Sequence, residues 1–567
     1  MPRAPGTLFL LLALLLLTAS PASASVEEIG PDRATRIADR DPNVIELRQA
    51  NPDLTSTAGM VDGNWEVGYF ADEVELALVI VDPLTGAVRE SWTGYQVAWK
   101  MARGYPSSFG HKLNAPYVFL PLCALFLIGL LDWRRPWRVA SLDLIVLLGF
   151  GVSHWFFNRA EIGVSVPLQY PVLLYLLFRM IWIGVRGRGE GLRPVWPATW
   201  LLIAALFLVG LRVGLNVADS GTIDVGYASV VGADRIAHGN QLYDNFPSDV
   251  SEGDTYGPIS YLAYVPFESI WPWEGSWDDL PAAHSAAVFF DLGTLVLLIL
   301  LGLRTRSGKS GRKLAATLAF GWAAYPYTAL SLESNSNDTL VAMLLVATLL
   351  VIARPAARGF MAALTTLTKF APVLLVPMLA TYRPAGGAVG GPAPEEALVT
   401  GGGGGSPAAT GPALAKFAVA FAATAVLLMA WPAIDPGLAT VWERTIGYQS
   451  GRNSPFSLWG QVGGLEPLRV LILAAVGAAA VAFAFWPKQK TLPQVAGLGA
   501  ALLIGLQLTA QHWFYLYIVW FFPLLLVSLA MVNEGERTLS TDTLRAGEGR
   551  ESGEEAFRLP NQPAPGP

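Results

Sequence analysis

PATWLLIAALFLVGLRVGL, residues 197–215, is a predominantly apolar run of nineteen residues, and DVGYASVVGADRIAHGNQLYDN, residues 224–245, follows it closely. A helix over the first segment is about 28 Å long, which matches the hydrocarbon core of a bilayer. The second segment supplies a carboxylate, Asp224, almost as soon as that helix ends. The pair raises the question of whether a membrane span delivers a catalytic group to its own exit.

The rest of the chain extends the first half of that reading. It is 53% hydrophobic and only 14% charged over 567 residues, with mean hydropathy +0.43, too little charge to cover a soluble protein of this size. Apolar runs able to span are expected near 115–132, 139–157, 168–185, 197–215, 284–304, 313–330, 339–354, 413–432, 468–486, 494–511 and 513–532. The fold class is therefore a polytopic α-helical membrane protein with about eleven transmembrane helices. The basic loops are DWRRPWR (132–138), RGRGEGLR (186–193), LRTRSGKSGRK (303–313), ARPAARG (353–359) and WPKQK (486–490). Eleven spans after an exported N-terminus put all of them in the cytoplasm, as the positive-inside rule asks. Two apolar segments fall outside the count: Tyr256–Trp273, interrupted by three prolines, and residues 361–379, which carry Lys369 and Pro372. Both are expected to be re-entrant or interfacial and to wall a cavity.

The termini complete the domain plan. MPRAPGTLFLLLALLLLTASPASAS, residues 1–25, reads as a signal peptide over 1–24, the alternative being an uncleaved first helix. Either places residues 25–113 outside the cytoplasm. There, helical sequence precedes alternating strands and a DPLTG turn (82–86), giving a small α+β domain with a hairpin or meander. Its pattern, Trp65-x-Val67, Val79-x-Val81-Asp82 and Thr85-Gly86-x-Val88, resembles PepSY-type domains, which implies a regulatory or docking module. Residues 114–196 hold three accessory transmembrane helices and 197–532 form the main membrane unit. A Gly-rich stretch at 383–412 is expected to be a flexible cytoplasmic linker, and 533–567 a disordered cytoplasmic tail. The single cysteine, Cys123, excludes a disulfide framework, and the net charge of −6 argues against a nucleic-acid partner.

Polar groups then collect on the face opposite the basic loops. Residues 216–283 contain eleven carboxylates and one arginine, Arg235. The segment ESNSND (333–338), the segment VWERTIGYQSGRNSPFSLWGQ (441–461) with Arg444 and Arg452, and AQHWFYLYIVWFFP (510–523) with His512 reach the same face. Each group has an ordinary explanation: solvated acids, arginines on lipid headgroups, interfacial tyrosines, and asparagines capping a helix. Convergence from distant segments is what favours function. The five histidines have no metal-ligand spacing, so no metal site is expected.

The order Asp224-x-x-Tyr227, Gly239-x-x-Leu242-Tyr243, Tyr256-Gly257-Pro258, then Asn337-Asp338, Lys369-Phe370-x-Pro372 and a terminal His512-x-x-Tyr515, resembles the GT-C glycosyltransferases that use polyprenyl-phosphate sugars. The likeness is strongest to glycosyltransferase family 87, the actinobacterial mannosyltransferases, although this chain has Tyr-Gly-Pro where that family has Tyr-Pro-Pro. The resemblance implies a GT-C-like fold over 197–532 and transfer of a sugar, mannose above all, to a lipid or glycan acceptor at the outer face of the plasma membrane. It implies Asp224 as general base, with inversion at the anomeric carbon. Arg444, Arg452 and His512 would hold the donor phosphate. Tyr227, Tyr243, Tyr256, Pro258, Asn337, Asp338, Gln449 and Tyr515 would line the substrate cavity. No cofactor is expected, although the acidic loop leaves a divalent ion open. A lipid-linked sugar flippase and a non-catalytic sensor acting through the PepSY-like domain are the competing classes. The absence of a charged pair within the spans counts against the flippase.

Overall fold

The computed structural model describes residues 28–532, apart from 62, 73, 106–109, 278–279, 386–409 and 453, and also residue 566. The signal-peptide expectation, most of the linker and nearly all of the tail lie outside the described residues. The chain folds as two compact units, residues 1–103 and 104–567.

In the first unit the helical stretch is two helices, α1 (Pro31–Ala38) and α2 (Pro42–Ala50), because Asp41 and Pro42 interrupt it and the Asp41 side chain accepts the Asn43 N–H. Four strands follow as an antiparallel meander in the order β1 (Thr55–Val61), β2 (Asn64–Ala71), β3 (Val74–Val81) and β4 (Val88–Thr93). Val67, Tyr69, Val79 and Val81 pack with Ala34, Ala38 and Val44 of the helices to make the core. The DPLTG turn closes on Asp82, whose carboxylate accepts the Leu84 and Thr85 N–H groups at 2.9 and 2.8 Å and pairs with Arg89. These donors hold the Asp82 carboxyl well below the usual range.

The second unit is helical: α3 (Pro116–Leu130), α4 (Val139–Phe157), α5 (Ile162–Arg186), α6 (Ala198–Asp219), α7 (Asp224–Ala237), α8 (Pro281–Thr305), α9 (Gly308–Ala324), α10 (Pro326–Glu333), α11 (Asp338–Leu350), α12 (Pro355–Lys369), α13 (Thr410–Pro432), α14 (Glu466–Phe485), α15 (Leu492–Leu508) and α16 (Ile518–Met531). Six described helices are long and apolar enough to cross a membrane: α4, α5, α6, α8, the continuous stretch Gly411–Gly451 that begins with α13, and α14. Shorter apolar helices include α3, α11 and α15.

α6 shows what solvent these helices are built for. Leu201, Ala205, Leu208, Arg212 and Asn216 form its buried stripe at helical spacing, while Leu206 (74% exposed), Phe207 and Val217 (78%) point away from the protein. Apolar side chains outside and polar ones inside is the arrangement of a membrane-embedded helix.

The expectation that the spans hold no charged pair is overturned. Arg212 on α6 donates to Asp291 on α8 at 2.8 Å, with both side chains almost fully buried. Its guanidinium also reaches the Trp322 and Ala323 carbonyls, at 3.2 and 3.4 Å. Those carbonyls lack their usual helical partners because Pro326 ends α9 at Tyr325. A second buried pair joins Arg179 of α5 to Asp143 of α4 at 3.0 Å. Partners so far apart in sequence, one per helix, leave no local pattern to read.

The two irregular segments also take shape. Residues 256–273 form two short helical turns, Ile259–Leu262 and Val265–Glu268, with Tyr261 and Tyr264 buried. In the other, α12 runs to Lys369, Phe370 takes a left-handed φ of 54°, and a 3₁₀ turn (Ala371–Leu375) leads into Val376–Ala380. Both flank the site described next.

Candidate functional site

The exit of α6 is caught by the loop between α10 and α11. The N–H groups of Gly221 and Ile223 donate to the Glu333 and Ser334 carbonyls at 3.3 and 3.0 Å. Asn335, at a left-handed φ of 46°, donates through Nδ2 to Ser220 Oγ and the Gly221 carbonyl, both at 3.1 Å, and accepts from Asn216 at 2.8 Å. Gly226 permits this contact, since a Cβ there would sit 2.2 Å from the Asn335 carbonyl oxygen. Asp224 thereby becomes the first residue of α7, where the helix dipole favours a carboxylate.

Solvent reaches the Asp224 side chain, yet protein atoms are dense around it. Desolvation raises its carboxyl above the ordinary range, against the Val225 N–H (2.8 Å) and the positive charges of Arg452 and Lys369, with Asp338 adding to the rise. Arg452 stands where Gly451 ends its helix and lies within electrostatic reach of Asp224, Tyr256, Tyr448 and Tyr517.

Lys369 ends α12 and donates to Asp338 Oδ1 at 2.5 Å, with both side chains buried. Asp338 also accepts from Trp520 Nε1 at 2.8 Å and from Ser336 Oγ. The Lys369 ammonium lies over the Tyr256 ring, 4.6 Å from its centroid. Gly257 sets how closely the two segments approach. Its N–H donates to the Thr368 carbonyl at 2.9 Å, a bond that proline cannot make, and a Cβ would approach the Leu367 carbonyl oxygen to 2.0 Å. The glycine lets the chain bearing Tyr256 press against the end of the helix bearing Lys369.

A cavity of about 370 Å³ is lined by Tyr256, Lys369, Gln449, His512, Tyr517 and Trp520 together with the apolar Val373, Leu374, Leu473 and Leu506. His512 Nδ1 sits 2.9 Å from Ser454 Oγ. Burial, aided by the Arg452 charge, lowers the His512 imidazole to about 3, so it is neutral at physiological pH.

Of the candidate residues, the structure brings together Asp224, Arg452, Tyr256, Asp338, Gln449 and His512. Tyr243 lies behind Tyr256, donating its hydroxyl to the Tyr256 carbonyl at 2.9 Å, and Pro258 starts the turn that buries Tyr261. Asn337 donates to Ser229 of α7 at 2.9 Å, bracing the helix rather than lining the cavity. Three residues sit elsewhere. Arg444 is committed to Asp254 through two hydrogen bonds of 2.8 and 2.7 Å. Tyr227 donates to Asp249 at 2.9 Å and stacks on Trp277. Tyr515 is buried against His154 with its hydroxyl 2.6 Å from Ser153 Oγ. Lys369, Tyr448, Tyr517 and Trp520 also belong to this cluster; the sequence marked Lys369 by its place in an apolar run, where a charge demands a buried partner, and the other three only through the aromatic segments that contain them.

Among the described residues, no group of three or more His, Cys, Asp or Glu is placed to hold a metal ion. The arrangement can take up a proton at Asp224 and present cationic and amide donors to an anion beside an apolar pocket. Fold and site together define a helical, membrane-embedded protein with a charged cleft where its helices end. No model of a known protein family matches the sequence, and no curated protein matches it.

Proposed function

We propose that the protein is a membrane glycosyltransferase of the GT-C type, with eleven spans, that moves a sugar from a polyprenyl-phosphate donor to a lipid or glycan acceptor at the outer face of the plasma membrane. The observation that carries this reading is Asp224: a solvent-reached carboxylate of raised pKa, within electrostatic reach of Arg452 and of Lys369, which lines an apolar cavity. In the proposed reaction the prenyl chain lies along Val373, Leu374, Leu473 and Leu506, and the phosphate meets Arg452 and Lys369. The acceptor hydroxyl gives its proton to Asp224 as its oxygen bonds the anomeric carbon from the face opposite the phosphate. The bond from that carbon to the phosphate oxygen breaks, the electron pair leaves with the phosphate, and the cations stabilise the developing charge. Configuration inverts. The basic loops support a cleft facing away from the cytoplasm, and the resemblance supports mannose as the sugar.

The buried pairs Arg212–Asp291 and Arg179–Asp143 are the observation favouring a second reading, a flippase for lipid-linked sugars. Each acid, however, has a further donor, Trp322 Nε1 at 2.9 Å and the Tyr175 hydroxyl at 2.8 Å, which suits fixed pairing better than cycling. The test is reconstituted protein supplied with labelled polyprenyl-phosphate mannose and, separately, nucleotide-linked mannose. Transfer from the lipid donor alone supports the proposal. Movement of the lipid-linked sugar across the bilayer with no new glycosidic bond supports the flippase. No transfer from any polyprenyl-phosphate hexose removes the catalytic reading.

A further inference from the structure

A second cavity, of about 920 Å³, shares no lining residue with the first. The end of α6, the segment between the two short helical turns and α8, and the start of α8 build it, with Asp219, Ser220, Trp271, Trp273, Glu274 and His284 in its wall. Its chemistry is opposite to that of the proposed donor cavity. Lys369 and Arg469 line the one, whereas among the described residues no lysine or arginine lines the other. Asp219 is offset from outside the wall by Lys112, whose ammonium lies 3.5 Å away and whose backbone N–H donates at 3.2 Å. The cavity thus offers indole faces beside hydroxyl, amide and carboxylate oxygens, and among the described residues its lining holds no cation to meet a phosphate. Flat indoles suit the C–H face of a pyranose ring, and the oxygens suit its hydroxyl groups.

Position adds to composition. α6 and α8 are both apolar helices of spanning length, and exposed Val217, Ile270 and Trp271 fringe the opening, as expected at a membrane–water boundary. The cavity is also tied to Asp224. Asp224 lies five positions after Asp219, a chain length of at most about 18 Å. Trp277, next to the Trp-rich wall, donates Nε1 to the Thr222 carbonyl at 3.0 Å and stacks on Tyr227 with 4.7 Å between ring centroids.

We propose that this cavity binds a neutral pyranose glycan, the sugar end of the acceptor. Its acceptor role rests on the proposed function, whereas neutral-glycan binding does not. The test is saturation-transfer NMR on the full-length protein in lipid nanodiscs, with mannotriose and cellotriose as probes and mannose 6-phosphate as the anionic control. A neutral trisaccharide is expected to bind, roughly tenfold more weakly to Trp271→Ala and to Glu274→Gln. Trp271→Phe, which keeps an aromatic face, should recover most of the loss. The proposal is overturned if neither neutral trisaccharide binds, if the anionic sugar binds better, or if the Trp271→Ala/Glu274→Gln double variant binds unchanged. Glycan binding by a protein that transfers no sugar keeps the site and removes its acceptor role, so the two claims fail separately.

Discussion

Replacing Lys369 by methionine probes the wall of the cleft directly. The Lys369 ammonium is 2.5 Å from Asp338, and the two side chains are 2% and 1% exposed. Methionine keeps most of the apolar stem, so packing on Tyr256 and Trp520 changes little while the charge disappears. Asp338 is left with Trp520 Nε1 and Ser336 Oγ as donors and no counter-charge. Removing one partner of a buried pair costs about 3–5 kcal/mol, because the other charge stays desolvated. Loss of the cation over Tyr256 adds roughly 0.5–2 kcal/mol. Asp338→Asn alone strands the ammonium in the same way. The double variant Lys369→Met/Asp338→Asn strands neither charge and should recover much of either loss. Unfolding of the four proteins in nanodiscs should therefore give a coupling energy of at least about 2 kcal/mol. Additive single effects, with coupling below about 0.5 kcal/mol, would refute the pairing and the cavity built on it.

Four further outcomes are expected. Gly257→Ala should destabilise by about 1–3 kcal/mol, since its Cβ would lie 2.0 Å from the Leu367 carbonyl oxygen, and thermal unfolding within about 0.5 kcal/mol of wild type would count against that contact. Arg452→Gln should raise the donor KM roughly tenfold to a hundredfold. It should also move the acid limb of the pH–rate profile to higher pH, because removing a positive charge beside Asp224 raises its pKa further. Arg444→Gln should leave the donor KM unchanged and lower stability by roughly 2 kcal/mol, as Asp254 loses both of its Arg444 hydrogen bonds; the same kinetic assay and a melting curve separate the two arginines. His512 takes up a proton in the unfolded chain below its ordinary 6.5 but in the folded protein only near 3, so its contribution falls as pH drops through that window. Between pH 7 and 5 the wild type should lose about 1–2 kcal/mol that His512→Gln keeps, and equal pH dependence would contradict the neutral imidazole.

The long helices were legible because the lipid-facing side of a span must be apolar, and residues 197–215 carry one charge, Arg212, in an otherwise apolar run. Asp224 stood out in the sequence as a carboxylate shortly after the α6 run, and the structure places it five positions beyond Asp219, the last residue of α6, at the start of α7. What a linear reading could not supply was pairing. Arg444 and Arg452 are eight residues apart and equally basic, yet one is hydrogen-bonded to Asp254 and the other, just past the end of its helix, lies over Tyr448 within electrostatic reach of Asp224. Arg212 and Asp291 meet across 79 positions with a single charge on each face, and nothing local announces the bond. Tyr227 and Tyr515 fit their motifs by spacing, but that spacing turns their rings to Trp277 and His154, away from the cleft. Gly257 carries the same lesson. A glycine in a turn announces no partner, and the structure shows that its lack of a side chain is needed for the close approach to the Leu367 carbonyl.

The central claim is that Asp224 takes the acceptor's proton. The most direct measurement is transfer from labelled polyprenyl-phosphate mannose by wild-type and Asp224→Asn protein in the same nanodiscs. Asparagine keeps the shape and removes the base. The account predicts that kcat falls by about 10²- to 10⁴-fold while the donor still binds. An Asp224→Asn enzyme that transfers sugar within about threefold of the wild-type rate would contradict it.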